Sequence, residues 1–484
     1  MNNKKHILIL LSLLVSTTLF AQRETPLSKA VTAVHNDPTL KHASLSVCVY
    51  NTKTNAAVYS YDAHRSMTPA SLAKIFTTSV AFDKLGDKFR FKTTLSYSGT
   101  IDDKGVLHGN IYIIGGGDPM LGSFRYRQTC PDSIFAAWYR AIQSHGIKSI
   151  DGRICYDATI FDNQPLHDTW QWGDVGNYYA CGVSGLNFHE NLYFLYFNAG
   201  AKLGYPAELV SVVPENIEVK NKNEVFTGAS NSGDQVIVYG DPNSQNRLCR
   251  GTVPLGQKNF RVRAALPNSG ETCARLFSIY LRNHQINVFS SVSEVLSRPE
   301  GLNTIMEYHS NNLYELAQYT NFTSNNMYAE SIYKYLGYKT FGTGSYENGA
   351  KVIEAFFKNH NLESSGVRVV DGSGLSRSNR ITTDFLCRYL AEVSHMPIYS
   401  DFAMTLGKVG ESGTVKNMLP NLPQNVTMRM KSGTMDGVRG FAGYLTTPSG
   451  EVYSFAVLCN EYDCSGNQMK AKLETILNEI SKLD

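Results

Sequence analysis

The sequence lacks the paired cysteine and histidine spacings that mark metal and redox sites. Its nine cysteines include no Cys-x-x-Cys pair, which excludes zinc-ribbon and thioredoxin-like spacings. His189-Glu190 is followed by Tyr193 where a zinc-binding helix would need a second histidine. The other histidines show no ligand spacing either. A metal enzyme is therefore not predicted, and no metal ligand is assigned.

The chain also carries little charge for its length. Charged residues make up 18% of 484 residues and the formal net charge is +3, whereas a nucleic-acid binder shows a clustered basic face. No nucleic-acid partner is predicted. Apolar residues make up 42%, which is enough for a large buried core and excludes whole-chain disorder. At about 150 residues per domain, the length predicts two or three domains.

A long apolar run occurs only at the amino terminus, and it is too short to cross a bilayer. Lys4 and Lys5 precede the apolar residues 7–20, and Ala21 supplies the small residue that a signal peptidase prefers. A spanning helix needs about 20 apolar residues. We therefore predict a signal peptide over residues 1–21, an exported protein, and at most peripheral membrane association. Disulfides are possible outside the cytoplasm, although nine cysteines leave at least one unpaired.

Two common nucleotide and nucleophile motifs are missing as well. Gly182-Val183-Ser184-Gly185-Leu186 and Gly410-Glu411-Ser412-Gly413-Thr414 both lack the final glycine of a Gly-x-Ser-x-Gly elbow. The turn Gly115-Gly116-Gly117-Asp118-Pro119 is not followed by the spacing of a dinucleotide or Walker loop. No phosphate site is predicted there.

Secondary-structure patterns separate the two ends of the chain from its middle. Alternation over residues 44–61 predicts a pair of strands, and Thr68-Pro69 favours the start of a helix. From 88 to about 290, short strand-like runs alternate with Gly, Asn and Pro turns. Beyond about 300, the patterns predict helices over 312–322, 329–336 and 349–360, strands over 440–445 and 452–459, and a terminal helix over 467–483.

The first positive signal is a pair of Ser-x-x-Lys motifs. In Ser71-Leu72-Ala73-Lys74, this spacing puts a hydroxyl and an amine on one helical face, in the first turn, where the helix dipole favours negative charge. A lysine in an apolar site beside another cation has a lowered pKa and can act as a base toward the serine. Alone the motif is weak, because Ser331-Ile332-Tyr333-Lys334 also fits.

A second and a third element narrow the choice. Ser-x-Asn begins at Ser244, Ser310, Ser324 and Ser465, whereas Lys-Ser/Thr-Gly occurs only at Lys431-Ser432-Gly433. An amine, a hydroxyl and flexible backbone before a strand can hold a carboxylate and present an N–H to an oxyanion. This order of elements matches penicillin-binding proteins and β-lactamases. Spacing alone does not separate Ser310 from Ser324.

Longer stretches around these motifs resemble one family. It is the D-alanyl-D-alanine carboxypeptidase/endopeptidase family, the class C low-molecular-mass penicillin-binding proteins of the penicillin-binding protein 4 type. The resemblance covers essentially the whole mature chain and selects Ser324 for the second motif. It rests on Thr68-Pro69-Ala70-Ser71-Leu72-Ala73-Lys74, Gly115-Gly116-Gly117-Asp118-Pro119, Ser324-Asn325-Asn326-Met327-Tyr328-Ala329-Glu330, Asp371-Gly372-Ser373-Gly374-Leu375-Ser376-Arg377, Lys431-Ser432-Gly433-Thr434 and Ala442-Gly443-Tyr444.

The resemblance implies a catalytic role for five residues. Ser71 is expected to be the acylated nucleophile and Lys74 its base. Ser324 is expected to relay a proton toward the leaving group, Asn326 to hold the substrate amide, and Lys431 to support the relay. No cofactor is implied.

The resemblance also implies substrate-binding residues. Ser432, Gly433 and Thr434 form the segment that is expected to bind the terminal carboxylate of D-Ala and the oxyanion. Asp157 and Arg377 match family positions near the pocket for the diaminopimelate side chain of the stem peptide more loosely, and simple structural roles for both are an equal alternative. Two motifs depart from the commoner pattern, since SNN replaces SDN and KSG replaces KTG, and we expect activity to survive both changes.

The implied architecture is an α/β (α+β) fold with a discontinuous peptidase domain. A β-lactamase/transpeptidase-like serine peptidase domain is expected from residues 23–87 and 290–484. Inserted β-rich accessory domains, two in number with one nested in the other, are expected over 88–289. The implied reaction is acyl transfer on peptidoglycan stem peptides in the periplasm, with β-lactam antibiotics as covalent inhibitors.

Two rival functions fit the sequence less well. A β-lactamase would need a deacylating glutamate between the second and third motifs, but no Glu-x-x-Leu-Asn lies between Ser324 and Lys431. A catalytically silent peptidoglycan-binding protein would not need every motif residue, yet all are present. We therefore predict a serine-type D-Ala-D-Ala carboxypeptidase and DD-endopeptidase, and leave its oligomeric state and disulfide connectivity open.

Overall fold

The structure, a computed structural model, describes residues 24–484. The predicted signal peptide lies outside the described residues. Within residues 24–484, ten helices, α1 to α10, span Pro26–His35, Lys74–Leu85, Pro131–Ser144, Ser269–Asn283, Leu313–Thr323, Asn326–Phe341, Tyr346–Asn359, Thr383–Ser394, Tyr399–Thr405 and Gly466–Ile480.

The same residues form twenty-one strands, β1 to β21. In chain order the strands span Ser44–Asn51, Ala56–Tyr61, Arg90–Tyr97, Thr100–Ile101, Val106–His108, Ile111–Ile114, Ser149–Ile150, Ile154–Asp157, Leu192–Asn198, Glu208–Val213, Lys220–Gly228, Ile237–Tyr239, Asn246–Pro254, Phe260–Ala265, Asn287–Val288, Ser293–Val295, Asn303–Asn312, Gly407–Lys408, Thr427–Met435, Val438–Thr446 and Val452–Asn460.

The two ends of the chain share one antiparallel sheet with the order β18-β19-β20-β21-β1-β2. β1 pairs with β21 along its whole length, so that Val47 lies opposite Val457. This pairing brings the strand pair predicted over 44–61 together with the strands predicted over 440–459. The fold is a mixed α/β fold with several sheets, as the sequence predicts.

Helices cover both faces of this sheet, which explains why its central strands are apolar on both sides. In β1, Leu45, Val47 and Val49 pack with α1 and α10. Cys48 and Tyr50, on the alternate positions, pack with α2, α6, α7 and α8. Successive side chains of a strand point to opposite faces. The sheet is therefore the middle of three layers, and α2 lies buried inside the thicker helical layer.

The middle of the chain forms further sheets around its own core. A five-stranded sheet has the order β16-β8-β6-β3-β17, and a smaller one has the order β15-β7-β5-β4. β17 at Asn303–Asn312 pairs with β3, so these residues join the second sheet although they lie beyond the boundary predicted at 290. Two helices, α3 and α4, pack against this core in a region where the sequence showed few helical patterns.

A third core is formed by residues that lie, in sequence, between two parts of the second one. β9, β10 and β14 form one three-stranded sheet, and β11, β12 and β13 form another. Their apolar side chains make a separate cluster that includes Tyr193, Val225, Val238 and Val262. The chain enters this unit after β8 and leaves it before β16, and both of those strands belong to the five-stranded sheet.

Two findings concern the membrane and the cysteines. Across residues 24–484, no helix combines the length and the apolar character that crossing a bilayer requires. All nine cysteines lie in this range and each is a free thiol, so the structure contains no disulfide within residues 24–484.

Candidate active site

Ser71 and Lys74 lie at the start of α2, where a 3₁₀ turn over Ala70–Ala73 leads into the helix. Ala70 has a φ of 47°, an unusual value for a residue with a side chain. Gly374 packs against it so closely that a Cβ there would lie 1.9 Å from the Ala70 carbonyl oxygen. Position 374 therefore requires glycine, and this contact holds the turn that presents Ser71.

Lys74 is fully buried, and its amine donates three hydrogen bonds. Its Nζ lies 3.0 Å from Ser71 Oγ, 2.7 Å from Asn326 Oδ1 and 2.6 Å from the Ser373 carbonyl oxygen. Burial lowers the pKa of the Lys74 amine to about 7, against the opposing pull of two nearby carboxylates, Glu330 and Asp371. The Lys74 amine can therefore be neutral near physiological pH while it touches the Ser71 hydroxyl.

Glu330 holds the loop that receives the Lys74 amine. Its two carboxylate oxygens accept the backbone N–H groups of Gly372 and Ser373, each at 2.8 Å. Burial and the Asp371 charge raise the pKa of Glu330, the two N–H groups oppose that rise, and the Glu330 carboxylate in turn raises the pKa of Lys74. Because the Ser373 carbonyl accepts from Lys74, Glu330 acts through this loop as a positioning residue.

The second motif forms a tight reversal between α5 and α6. Ser324 ends α5 in the left-handed conformation, with a φ of 57°. Asn325 caps α6, its side chain accepting from the Tyr328 N–H. Asn and Asp are about equally good N-caps, which explains why SNN can replace SDN. Asn326 then begins α6, and its Nδ2 donates to the Tyr179 carbonyl oxygen at 2.7 Å.

Lys431 is a second buried amine, on β19. Its Nζ donates to Ser324 Oγ at 2.9 Å and to the Ser432 carbonyl oxygen at 2.8 Å. Burial lowers the pKa of Lys431 well below its usual value, and the nearby Lys74 adds to that effect. Ser324 therefore has a lysine of low proton affinity beside it, as Ser71 does.

The Lys431-Ser432-Gly433-Thr434 segment runs along the strand that borders Ser71. A Cβ at Gly433 would lie 2.6 Å from the Pro69 carbonyl oxygen, so glycine lets β19 approach the 3₁₀ turn closely. Ser432 Oγ lies 2.7 Å from Thr414 Oγ1. This bond needs only a hydroxyl at position 432, which serine supplies as well as threonine would.

These residues border a cleft of about 530 Å³. Six of the ten predicted site residues line it, namely Ser71, Ser324, Asn326, Arg377, Ser432 and Thr434. Lys74, Lys431 and Gly433 do not line the cleft but contact or adjoin residues that do, and both lysines are buried. The tertiary structure thus brings nine of the ten together.

Asp157, the tenth residue, is not where the resemblance implies. It ends β8 and is not among the residues that line the cleft. Its buried carboxylate accepts from Arg298 Nε at 2.5 Å and from the Thr159 backbone N–H at 2.9 Å. These contacts close off the Asp157 carboxylate, and a substrate-binding role for it has no geometric support.

Asp174 lines the cleft, as does the exposed Asp436, together with Arg377 and Tyr179. Tyr179 Oη donates to Asp174 at 3.1 Å. Burial raises the pKa of Asp174, although this hydrogen bond and the Arg377 charge pull the pKa down. The Arg377 guanidinium also donates to the Asp436 carbonyl oxygen at 3.0 Å. An acid and a base thus stand on one side of the cleft.

The sequence did not identify Asp174, Thr414 or the contact that Trp170 makes beside the site. Trp170 Nε1 donates to Asp371 Oδ2 at 2.9 Å, which ties the inserted region to the loop beside Lys74. The only local signal was the aromatic pair of Trp170-Gln171-Trp172-Gly173-Asp174 in a polar stretch. Nothing in that pattern indicates which carboxylate faces the cleft.

Comparison with known proteins places the chain among D-alanyl-D-alanine carboxypeptidases. The family model for the D-Ala-D-Ala carboxypeptidase 3 (S13) family matches residues 27–480. A D-alanyl-D-alanine carboxypeptidase from Actinomadura sp. is 26% identical over 452 residues, which cover 90% of this chain and 81% of that protein. The D-alanyl-D-alanine carboxypeptidase DacB of Haemophilus influenzae is 24% identical over 430 residues, covering 87% and 86%.

Solved structures share the fold. The crystal structure of penicillin binding protein 4 from Haemophilus influenzae superimposes with a TM-score of 0.79 at 23% identity, covering 94% of this chain and 99% of that one. A structure of the same protein complexed with a novel β-lactam gives a TM-score of 0.75 at 22% identity, covering 95% and 100%. Because the family model matches residues 27–480, the chain belongs to the D-Ala-D-Ala carboxypeptidase 3 (S13) family.

Proposed function

We propose that this D-Ala-D-Ala carboxypeptidase works through an acyl-enzyme on Ser71, and that it also cuts cross-links as a DD-endopeptidase. The observation that carries the proposal is the contact of Lys74 Nζ with Ser71 Oγ at 3.0 Å, made by an amine whose pKa is lowered to about 7. A neutral amine at hydrogen-bond distance is the base that an unactivated serine needs.

Acylation begins at Ser71. Its Oγ attacks the carbonyl carbon of the penultimate D-residue, and its proton passes to Lys74 Nζ. The developing oxyanion accepts from the backbone N–H groups of Ser71 and Thr434, which border the same cleft. Asn326 holds the substrate amide while its Oδ1 keeps Lys74 in place at 2.7 Å.

The leaving amine needs a proton when the peptide bond breaks. Ser324 Oγ supplies it, and the proton is replaced through Lys431 Nζ, which lies 2.9 Å away. Two lysines with lowered pKa values on either side of the cleft can accept and return a proton without a large energetic cost. The proton that Lys74 took from Ser71 makes good the one lost by Ser324 and Lys431, so Lys74 is neutral again before deacylation. Water then attacks the ester carbonyl on Ser71, Lys74 takes the proton of that water, and it returns this proton to Ser71 Oγ as the ester bond breaks.

Substrate recognition rests on charge at two places. The hydroxyl of Thr434, which lines the cleft, suits the terminal carboxylate of D-Ala. Asp174 and Arg377 suit the ammonium and carboxylate of a diamino-acid side chain on the stem peptide. We assign that role to Asp174 in place of Asp157, because the Asp157 carboxylate is paired with Arg298 away from the cleft.

Labelling with a fluorescent penicillin tests the acyl-enzyme on Ser71. The wild type is expected to keep a stable covalent label, and Ser71→Ala to take none. Ser331→Ala is the matched control, because Ser331 begins the other Ser-x-x-Lys motif but lies buried in α6. A label on Ser71→Ala would overturn the mechanism. Rapid turnover of the drug would favour a β-lactamase, and no label on the wild type would favour a silent binding protein.

Digestion of purified peptidoglycan tests the endopeptidase activity. Chromatography should show pentapeptides shortened to tetrapeptides and cross-linked dimers converted to monomers. If pentapeptides shorten while dimers remain, the chain is a carboxypeptidase alone.

We further propose that the protein acts in the periplasm, where this substrate lies. The support is the signal-peptide pattern over residues 1–21. Fractionation of cells with an antibody against the protein tests the location, and recovery in the cytoplasmic fraction would contradict it.

A further inference from the structure

A second cavity, of about 670 Å³, lies in the innermost inserted unit, between β11, β12 and β13 and the loop before Tyr178. The catalytic roles proposed above do not use it. Its lining includes two aromatic rings, Trp172 and Tyr239, and three cations, Lys220, Lys222 and Arg247. We call this group the aromatic-cationic cavity.

Trp172 is the unusual member of this group. It is 64% exposed, whereas the other two tryptophans, Trp138 and Trp170, are buried at 0% and 7% exposure. Its ring stacks on Tyr239 with 6.5 Å between centroids and an interplanar angle of 29°. The stack fixes a flat apolar face toward solvent, which costs free energy unless a ligand covers it.

The positive charge of the cavity is largely unpaired. Arg247 is 3% exposed and, across residues 24–484, has no carboxylate within ion-pair distance. Its guanidinium donates to the carbonyl oxygens of Asp241 and Asn246, while its Nε is buried without a partner. Lys222 pairs with Glu224, but the structure shows no such partner for Lys220 within residues 24–484. The cavity therefore favours an anionic group.

One loop separates this cavity from the catalytic cleft. Gln171 and Asp174 line the cleft, and Trp172 between them lines the aromatic-cationic cavity. The loop is fixed to β12, where the Val238 N–H donates to Asn177 Oδ1 at 3.0 Å. At Gly176 a Cβ would lie 2.3 Å from the Val238 carbonyl oxygen. A ligand that occupies both the catalytic cleft and the aromatic-cationic cavity would thus pass over this short, firmly held loop.

We infer that the aromatic-cationic cavity binds a disaccharide-peptide unit of the glycan strand while a stem peptide occupies the catalytic cleft. The flat face of Trp172 suits the apolar face of a sugar ring, and Lys220 and Lys222 suit a carboxylate of the attached peptide. The inference rests on the proposed function, because it takes peptidoglycan as the substrate. A short free peptide in the catalytic cleft would not reach this cavity.

Calorimetric titration of the full chain with a purified disaccharide-tetrapeptide tests the inference. This probe has no terminal D-Ala-D-Ala bond, so the enzyme does not consume it during the titration. Trp172→Ala should raise its Kd about tenfold, the effect of removing a central aromatic anchor. Lys220→Ala should raise the Kd less and reduce its dependence on salt, because an exposed charge is screened.

Two controls separate this inference from the proposed function. Phe289→Ala removes another exposed aromatic ring, 70% exposed and outside the cavity, and should leave the Kd unchanged. Hydrolysis of a sugar-free peptide ending in D-Ala-D-Ala should proceed equally in wild type and Trp172→Ala. If wild type fails to cut that peptide, the proposed function fails, whatever the titration shows.

Other outcomes overturn the inference itself. Equal affinity of wild type and Trp172→Ala for the disaccharide-tetrapeptide would show that the Trp172 ring does not bind the sugar. If the wild type binds the free tetrapeptide as tightly as the disaccharide-tetrapeptide, the sugar contributes nothing to binding and the inference is also wrong.

Discussion

Lys74 Nζ lies 2.7 Å from Asn326 Oδ1, although 252 positions separate the two residues. The same Nζ contacts Ser71, three positions before it. One amine therefore joins a local motif to a distant one, and the whole insertion lies between them in the chain. The inserted region returns to this junction, since the Tyr179 carbonyl accepts from Asn326 Nδ2.

Acylation of Ser71 is expected to become faster as the pH rises through about 7, and then to level off. The pKa of Lys74 is lowered to about 7, and only the neutral amine accepts the Ser71 proton. Below that value the rate should fall about tenfold per pH unit. The measurement is the second-order rate of labelling by a fluorescent penicillin across neutral pH. Lys74→Arg should not label at any of these pH values, because the guanidinium stays charged. A flat profile would contradict Lys74 as the base.

Glu330→Gln is expected to move the midpoint of that pH profile downward, by roughly one pH unit. The Glu330 carboxylate raises the pKa of Lys74, so its removal should lower the Lys74 pKa further. The variant should also lose about 1–3 kcal/mol of stability, because a backbone N–H of Gly372 or Ser373 loses its acceptor.

The control for this variant is Glu354→Gln, on the exposed side of α7, which should leave both the midpoint and the stability unchanged. A midpoint that stays in place or moves upward in Glu330→Gln would show that the carboxylate does not act on Lys74.

Asp174→Asn and Asp157→Asn should have opposite consequences. Asp174→Asn is expected to raise KM about tenfold for stem peptides with a free side-chain amine, and little for acetylated ones, as expected for loss of one charged contact. Asp157→Asn should leave this preference intact but lower the free energy of unfolding by about 1–3 kcal/mol, because Arg298 and Thr159 lose a buried acceptor. Steady-state kinetics with paired substrates and urea denaturation distinguish the two. The reverse pattern would restore Asp157 to the substrate pocket.

Lys334→Met is expected to lower the free energy of unfolding by about 3–5 kcal/mol. The fully buried Lys334 amine lies 2.6 Å from Asp162 Oδ1, and its removal leaves that carboxylate without its cation. Lys351→Met, which breaks an exposed pair with Glu347, should cost less than about 1 kcal/mol. Urea denaturation of Lys334→Met, Asp162→Asn and the double variant measures the coupling. Additive effects would show that the two residues do not stabilise each other.

Local patterns predicted the ends of the chain well. The helix expected over 312–322 is α5 at Leu313–Thr323, and the strand expected over 452–459 is β21 at Val452–Asn460. These elements show regular apolar periodicity because each packs against a core next to it. Local patterns predicted the middle of the chain less well. Its many short strands and turns dominated the pattern, so that α3 and α4 were not predicted.

The choice between two candidate serines shows where local reasoning ends. Ser310 and Ser324 both begin Ser-x-Asn, and only the resemblance separated them. In the structure Ser310 lies on β17, where its Oγ accepts the Phe91 N–H at 2.9 Å. Ser324 stands in a left-handed turn beside Lys431. The two serines differ in their long-range partners, because one lies in a turn between two helices and the other inside a strand. A three-residue motif does not encode those partners.

The sequence by itself predicted that Ser71 and Lys74 lie on one helical face, three positions apart, and the structure places Lys74 Nζ 3.0 Å from Ser71 Oγ. It also predicted that most of the extra length is an insertion. Only the tertiary structure decided which of Asp157 and Asp174 lines the cleft. Asp157 and Asp174 are both in the inserted region, but the strand that carries Asp157 buries it against Arg298, whereas the loop on β12 turns Asp174 toward the cleft. The free energy that settles such a choice comes from contacts between segments far apart in the chain.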